Sequence, residues 1–127
     1  MLNILYAGSP SASAKMLEKL VESSEKNGFR ITGVLTNPPS VQGRHNTVVP
    51  TAVAQTAEKF SIPVFAPEHL DSTLRDQVSA VAPDIFVCFA YGHIFGPKFL
   101  SLFKYGGMNL HPSALPKYRG CTPVQTA

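Results

Sequence analysis

The sequence predicts an α/β protein built on a doubly wound parallel sheet, and three observations carry that expectation. Short apolar runs alternate with segments whose apolar residues recur at helical spacing, giving the order strand, helix, strand, repeated. The runs are continuously apolar, as in strands buried on both faces of a parallel sheet. Parallel strands joined through helical segments wind into an open sheet of Rossmann-like type. Its first and fourth strands are expected at the centre.

The elements follow in order. "LNILYAG" (2–8) is an apolar run closed by Gly8. A helix is expected from Ser9 or Pro10, with Met16, Leu17, Leu20 and Val21 on one face and Asn27-Gly28 as its stop. "FRITGVLT" (29–36) is the second strand. Residues 51–60 place Val53, Ala57 and Phe60 at i, i+4 and i+7, a short helix. "SIPVFAP" is a third strand, and Pro63 puts it near a sheet edge. Leu74, Val78 and Val81 mark a third helix that stops at Ala82-Pro83. "DIFVCFA" (84–90) is the most apolar strand. Pro97, Leu100 and Phe103 indicate a helical turn or two before a strand at 107–111, and a further helix is expected to start near Thr122-Pro123.

The chain of 127 residues, 44% hydrophobic and 15% charged, is long enough for one globular domain with a real core. No apolar run reaches the ~18 residues of a membrane span, and "MLNILYAGSP" lacks the basic leader of a secretory signal, so a cytoplasmic protein without membrane contact is expected. Cys88 and Cys121 read as reduced thiols. The net charge is only +3, yet Asp84 is the last acidic residue while Lys98, Lys104, Lys117 and Arg119 follow it. That asymmetry fits an anionic partner such as a phosphate, a folate glutamate or an RNA backbone, or compensating acids on a continuation of the chain.

Two connections exceed what joining the elements requires. "TNPPSVQGRHNTVVP" (36–50) reads as one long loop with Gly43, Arg44 and His45 near its middle. Loops of that length in a compact domain are usually either functional or disordered. "AYGHIFGP" (90–97) leaves the central strand with two glycines and two aromatics. Both, with the region of His111, leave the carboxyl ends of strands, where open α/β sheets bind ligands.

A nicotinamide site is not indicated: "AGSPSAS" after the first strand lacks G-x-G-x-x-G, and no acidic residue closes the second strand. No G-x-x-x-x-G-K-[ST] is present, and the four His and two Cys show no metal-ligand spacing. The residues that packing alone does not ask for stand in "GGMNLHPSALPKYRG" (106–120). Asn109 and His111, two apart on a strand, project to the same side and can converge on one reacting centre. An amide N–H is a fixed donor for a developing oxyanion, and an imidazole moves a proton near neutral pH. Pro112 and Pro116 restrict the backbone beyond them. An oxyanion donor beside a proton-transfer group fits acyl-type transfer. An imidazole in that role normally has a carboxylate partner, and no Asp or Glu follows His111, so either the partner comes from beyond residue 127 or the mechanism is incomplete.

"NLHPSALPKYRG" resembles the motif N-x-H-x-S-x-L-P-x-x-R-G of the N10-formyltetrahydrofolate-dependent formyltransferases, matching at Asn109, His111, Ser113, Leu115, Pro116, Arg119 and Gly120. The opener "ILYAGSP", the "GR" and "VVP" of the long loop, "IPVFAPEHL" and "AYGHIF" are similar, in order, to the members that formylate methionyl-tRNA. The resemblance implies that residues 1–127 are the N-terminal part of the catalytic domain. The rest of that domain, its catalytic Asp and a C-terminal tRNA-binding barrel would lie beyond.

It further implies that Asn109 bonds the formyl oxygen and His111 assists proton movement. Phe89, Ala90, Tyr91, Gly92 and Ile94 would hold the pterin, largely by backbone groups, with Ser113, Ala114, Leu115 and Pro116 lining the folate site. Gly43, Arg44 and His45 would contact tRNA. The implied co-substrate is N10-formyltetrahydrofolate without a metal, the acceptor initiator methionyl-tRNA, and the parent enzyme a monomer. Formyl transfer to an amino sugar or to glycinamide ribonucleotide stays open, because amino-sugar formyltransferases share "LPKYRG". So does a non-catalytic folate- or RNA-binding role for a chain of this length alone.

Overall fold

A computed structural model describes residues 1–42, 47–89, 91, 97–110 and 121–123. Its strands are β1 (Leu2–Ala7), β2 (Phe29–Leu35), β3 (Ser40–Gln42), β4 (Thr47–Val49), β5 (Val64–Phe65), β6 (Ile85–Cys88), β7 (Gly107–Leu110) and β8 (Cys121–Pro123). The helices are α1 (Ser11–Asn27), α2 (Ala52–Lys59), α3 (Ser72–Ala80) and the single turn α4 (Pro97–Leu100). The main sheet runs β5-β2-β1-β6-β7-β8. Its first five strands are mutually parallel, and β8 closes the edge antiparallel to β7. The expected centre, β1 beside β6, and the expected edge position of the third strand, observed as β5 starting just after Pro63, are both found.

Alternation along β1 decides which core each side chain joins. Leu5 and Ala7 face one way, with Leu35, Phe86 and Cys88, against Leu74 and Val78 of α3 and against Phe99 and Phe103. The ring of Phe86 meets Phe99 edge-on at 5.2 Å and stacks on Phe103 at 5.3 Å. Ile4 and Tyr6 face the other way, with Val34 and Val87, against Ala14 and Leu17 of α1 and Val53 and Ala57 of α2. Helices thus cover both faces, and burial of side chains such as Leu5, Leu17 and Leu35 stabilises the sheet by roughly 1.5–3 kcal/mol each.

Local signals set the helix ends. Pro10 stands in the N-cap position of α1, and Gly28 ends that helix in the left-handed region at φ +74°, donating its N–H to the Ser24 carbonyl. Thr51 and Asp71 cap α2 and α3 by accepting the N–H groups of Ala54 and Leu74. Val81 closes α3, and Ala82 turns the chain at φ +48°.

Two expectations are corrected. The stretch 36–50 is not loop throughout: β3 and β4 form an antiparallel hairpin with Val41 opposite Val48. Its β-branched residues favour the extended state, and pairing satisfies backbone groups that a plain loop would leave to water. Thr122 and Pro123 do not start a helix either. They lie in β8, with Thr122 opposite Asn109 and Pro123 opposite Met108. β7 offers these residues a ladder to pair with, and a proline without an N–H is tolerated on an edge strand.

Candidate active site

The carboxyl ends of the central strands meet along one rim. Leu35, Ala7, Cys88 and Asn109 stand in one row across β2, β1, β6 and β7. Asn109 is half-buried near the end of β7, two strands and so roughly 10 Å from Ala7. The parallel register puts it on the sheet face of Ala7 and Cys88, at the level where β1 and β6 give way to their exit loops.

Packing sets the path of the first exit. Gly8 donates its N–H to the Leu35 carbonyl at 3.0 Å, and Phe89 donates to the Ala7 carbonyl at 2.8 Å. A Cβ on Gly8 would overlap the Ser13 hydroxyl and lie 2.5 Å from the Phe89 carbonyl oxygen, so no larger residue fits. Beneath it the Tyr6 hydroxyl lies 2.8 Å from both the carbonyl and the hydroxyl of fully buried Ser13.

Beyond Gly8 a polar network joins three exits. The Asn37 side-chain Nδ2 donates to Ser9 Oγ at 2.7 Å and to the Tyr91 carbonyl at 3.2 Å, and the Asn37 main-chain N–H donates to Ser9 Oγ at 3.1 Å. Ser9 Oγ lies 3.3 Å from the hydroxyl of fully buried Thr36, which lies 2.6 Å from that of Thr51. Thr51 Oγ1 accepts the Ala54 N–H at 3.1 Å. The network borders an open cavity of about 480 Å³ lined by Ser9, Ser11, Asn37, Pro50, Thr51 and Gln55. Thr36, Asn37 and Thr51 lie in no motif of the sequence. The available signal was a second strand ending on Thr-Asn instead of an acid, and a threonine in front of a helix.

Titratable groups here stay neutral at neutral pH. Burial pushes the Cys88 thiol up to about 11, with a main-chain bond from Tyr91 partly opposing it. Burial, and then the neighbouring Cys88, pushes the Tyr91 phenol up to about 12. Burial also raises Tyr6 above the ordinary phenol range, against the opposing bond from Ser13. A thiol so disfavoured as thiolate is not a nucleophile, and Cys88 belongs to the core.

Of the residues expected from the sequence, Asn109, Phe89 and Tyr91 are described. Asn109 stands on the rim. Phe89 and Tyr91 are each 3% exposed and bury their side chains in opposite cores, leaving their main chain for the rim. His111, Ala90, Gly92, Ile94, Ser113, Ala114, Leu115, Pro116, Gly43, Arg44 and His45 lie outside the described residues. Among the described residues no three His, Cys, Asp or Glu side chains form a group able to hold a metal, and no helix is long and apolar enough to cross a membrane.

A family model for formyl transferase matches residues 2–127. The chain belongs to the formyl transferase family. It is 42% identical to the methionyl-tRNA formyltransferase of Treponema pallidum (strain Nichols), across 100% of this chain and 41% of that protein. The methionyl-tRNA formyltransferase of Thermotoga maritima is 41% identical across 98% of this chain and 39% of its own length. The chain therefore spans about two fifths of these curated relatives.

Among solved structures, phosphoribosylglycinamide formyltransferase from Bacillus halodurans superposes with a TM-score of 0.67 at 20% identity, over 93% of this chain and 60% of that one. The enzyme of the same name from Anaplasma phagocytophilum gives 0.66 at 22% identity, over 94% and 53%. At these identities the structures establish the shared α/β fold, and membership of the family rests on the sequence match.

Proposed function

We propose that this chain is the N-terminal part of the catalytic domain of an enzyme that transfers a formyl group from N10-formyltetrahydrofolate to the amino group of initiator methionyl-tRNA. The observation that carries the reading is Asn109 on the rim, inside a family motif matched at seven fixed residues, in a chain more than 40% identical to proteins named for that reaction. The remainder of the catalytic domain, with the carboxylate that partners His111, and a C-terminal tRNA-binding barrel belong to the longer parent, a monomeric cytoplasmic enzyme.

The chemistry follows from the groups. The methionyl nitrogen attacks the formyl carbon, and the carbonyl electron pair moves onto oxygen. A donor amide at Asn109 stabilises that oxyanion more than the starting carbonyl, which lowers the barrier. Collapse re-forms the carbonyl and breaks the bond from carbon to the folate nitrogen. The attacking amine loses a proton and the folate nitrogen gains one, with His111 assisting that movement. The main chain of 89–94 holds the pterin, residues 113–116 line the folate site, and Gly43 to His45 contact tRNA.

In the intact natural protein, Asn109→Ala should lower turnover on methionyl-tRNA about 10²- to 10³-fold with an unchanged melting temperature. Retained turnover would remove Asn109 from the site. Parallel assays with glycinamide ribonucleotide and amino-sugar acceptors decide the acceptor class, and faster transfer to either would overturn the tRNA assignment. Arg44→Ala should raise KM for tRNA several-fold more than KM for folate; an equal rise in both would refute the loop's role.

A further inference from the structure

We infer that Asn27-Gly28, the stop of α1, is a deamidation site that the helix cap holds closed and that opens with the last turn of the helix. The chemistry needs only water. The main-chain nitrogen of Gly28 attacks the side-chain carbonyl carbon of Asn27, and a C–N bond forms. The proton lost by that nitrogen goes to the side-chain amide, which leaves as ammonia. Water then opens the five-membered succinimide at either carbonyl, giving aspartate or the β-linked isoaspartate. A following glycine permits this best, because no side chain shields its nitrogen. Of the five asparagines, Asn27 alone precedes glycine. Both residues are exposed, and a Cβ built on Gly28 would meet nothing within 4 Å, so water reaches the pair freely.

What keeps the pair intact is its bonding. Gly28 donates its N–H to the Ser24 carbonyl, which turns the attacking nitrogen back into the helix. Asn27 Nδ2 donates to the Ser23 carbonyl at 2.9 Å and draws the side-chain amide up the helix. As the last residue of α1, Asn27 has a helical ψ of about −42°, which holds the two reacting atoms out of ring-closing geometry. The Gly28 carbonyl accepts the Leu2 N–H at 3.1 Å and ties the turn to the start of β1. The two bonds inside α1 belong to its last turn, where fraying costs far less than unfolding the sheet. Neither product restores the cap. Aspartate puts a carboxylate at the carbonyl end of α1, where the helix dipole disfavours it. Isoaspartate adds a carbon to the main chain inside the turn that sets Gly28 against Leu2.

The test follows conversion at position 27 in the intact natural protein held at mildly alkaline pH. Peptide mass spectrometry counts the loss of the amide, and methylation by a protein-isoaspartate methyltransferase counts isoaspartate. Conversion in native buffer should be about ten- to thirtyfold slower than in strong denaturant, the factor for two exposed hydrogen bonds. Urea below the unfolding transition should leave the native rate unchanged, because fraying exposes little surface. Glu25→Gly should convert about four- to fivefold faster than Glu25→Ala, since these exposed variants differ only in helix propensity. In denaturant the two should convert alike.

Equal native and denatured rates would mean that the cap gives no protection, and overturn the inference. A native rate that climbs with urea throughout the native baseline, or equal rates in the two Glu25 variants, would overturn it by showing that the pair opens only with the whole fold. An amide that survives even in denaturant would remove the site altogether.

Discussion

At the amino ends of the strands Asn3 stitches β1 to its neighbours, and at the carboxyl ends Asn37 ties the exits in a comparable way, but in a different solvent. Asn3 donates its N–H to Asp84 Oδ2 at 2.8 Å and its side-chain Nδ2 to the Ala82 carbonyl at 3.0 Å, and it accepts from Arg30 Nε at 2.9 Å. Two of these three partners are charged, and the two side-chain bonds are exposed. Around Asn37 the partners Ser9 and Tyr91 are uncharged, the bonds are partly buried, and they border a cavity. Exposed charged bonds add little to stability because water competes for both partners. Partly buried neutral bonds hold geometry well and lose much when one partner is removed. The first end secures strands, and the second keeps main-chain groups where a ligand could meet them.

The largest way to break the comparison is at Gly8, where the carboxyl end is most tightly packed. Gly8→Ala would displace the Ser13 hydroxyl from Tyr6 and push the Phe89 carbonyl away. Overpacking together with a lost buried bond should cost about 3–4 kcal/mol, read as a lower denaturant midpoint at unchanged slope. A variant within about 1 kcal/mol of wild type would mean that the rim yields easily.

Alkaline pH comes next. Folding keeps Cys88 protonated up to about 11 against an ordinary 9.0, and Tyr91 up to about 12 against 10.0. Their contribution is therefore complete below pH 9, where both are neutral whether folded or not. It is lost as pH rises through the folded values, about 2–3 kcal/mol for the thiol alone. Residue-resolved hydrogen exchange should show amides near Phe89 and Tyr91 opening before those near Asn3 and Asp84. The reverse order would place the weak end at the amino side.

Much of the scaffold was legible because continuous apolar runs and helical spacing are local signals, and β1, β2, β6 and the capped helices follow from them. Asn109 was legible for a related reason: alternation and a dense motif both point at it. The β3–β4 hairpin escaped because three-residue strands leave almost no periodicity, and β8 escaped because Thr-Pro also reads as a helix start until an edge is available to pair with. The Asn37 network left in the sequence only the Thr-Asn strand end and the threonine before a helix, not its contacts. Its partners are 28 and 54 residues away in sequence, and only the sheet order brings them together.

The smallest effect is the sharpest control on the comparison. Asn3→Ala removes the bonds to Ala82 and from Arg30 but keeps the main-chain bond to Asp84. Both lost bonds are exposed, and water replaces them, so the cost should be only about 1 kcal/mol. No strand exit moves, so KM for folate should stay at its wild-type value while the melting temperature falls by a few degrees. Asn37→Ala should give the opposite pattern, with binding changed more than stability. If Asn3→Ala also altered KM, the two ends would be one cooperative unit. The kinetic effect of Asn37→Ala would then report general loosening of the sheet and not the position of the Tyr91 carbonyl.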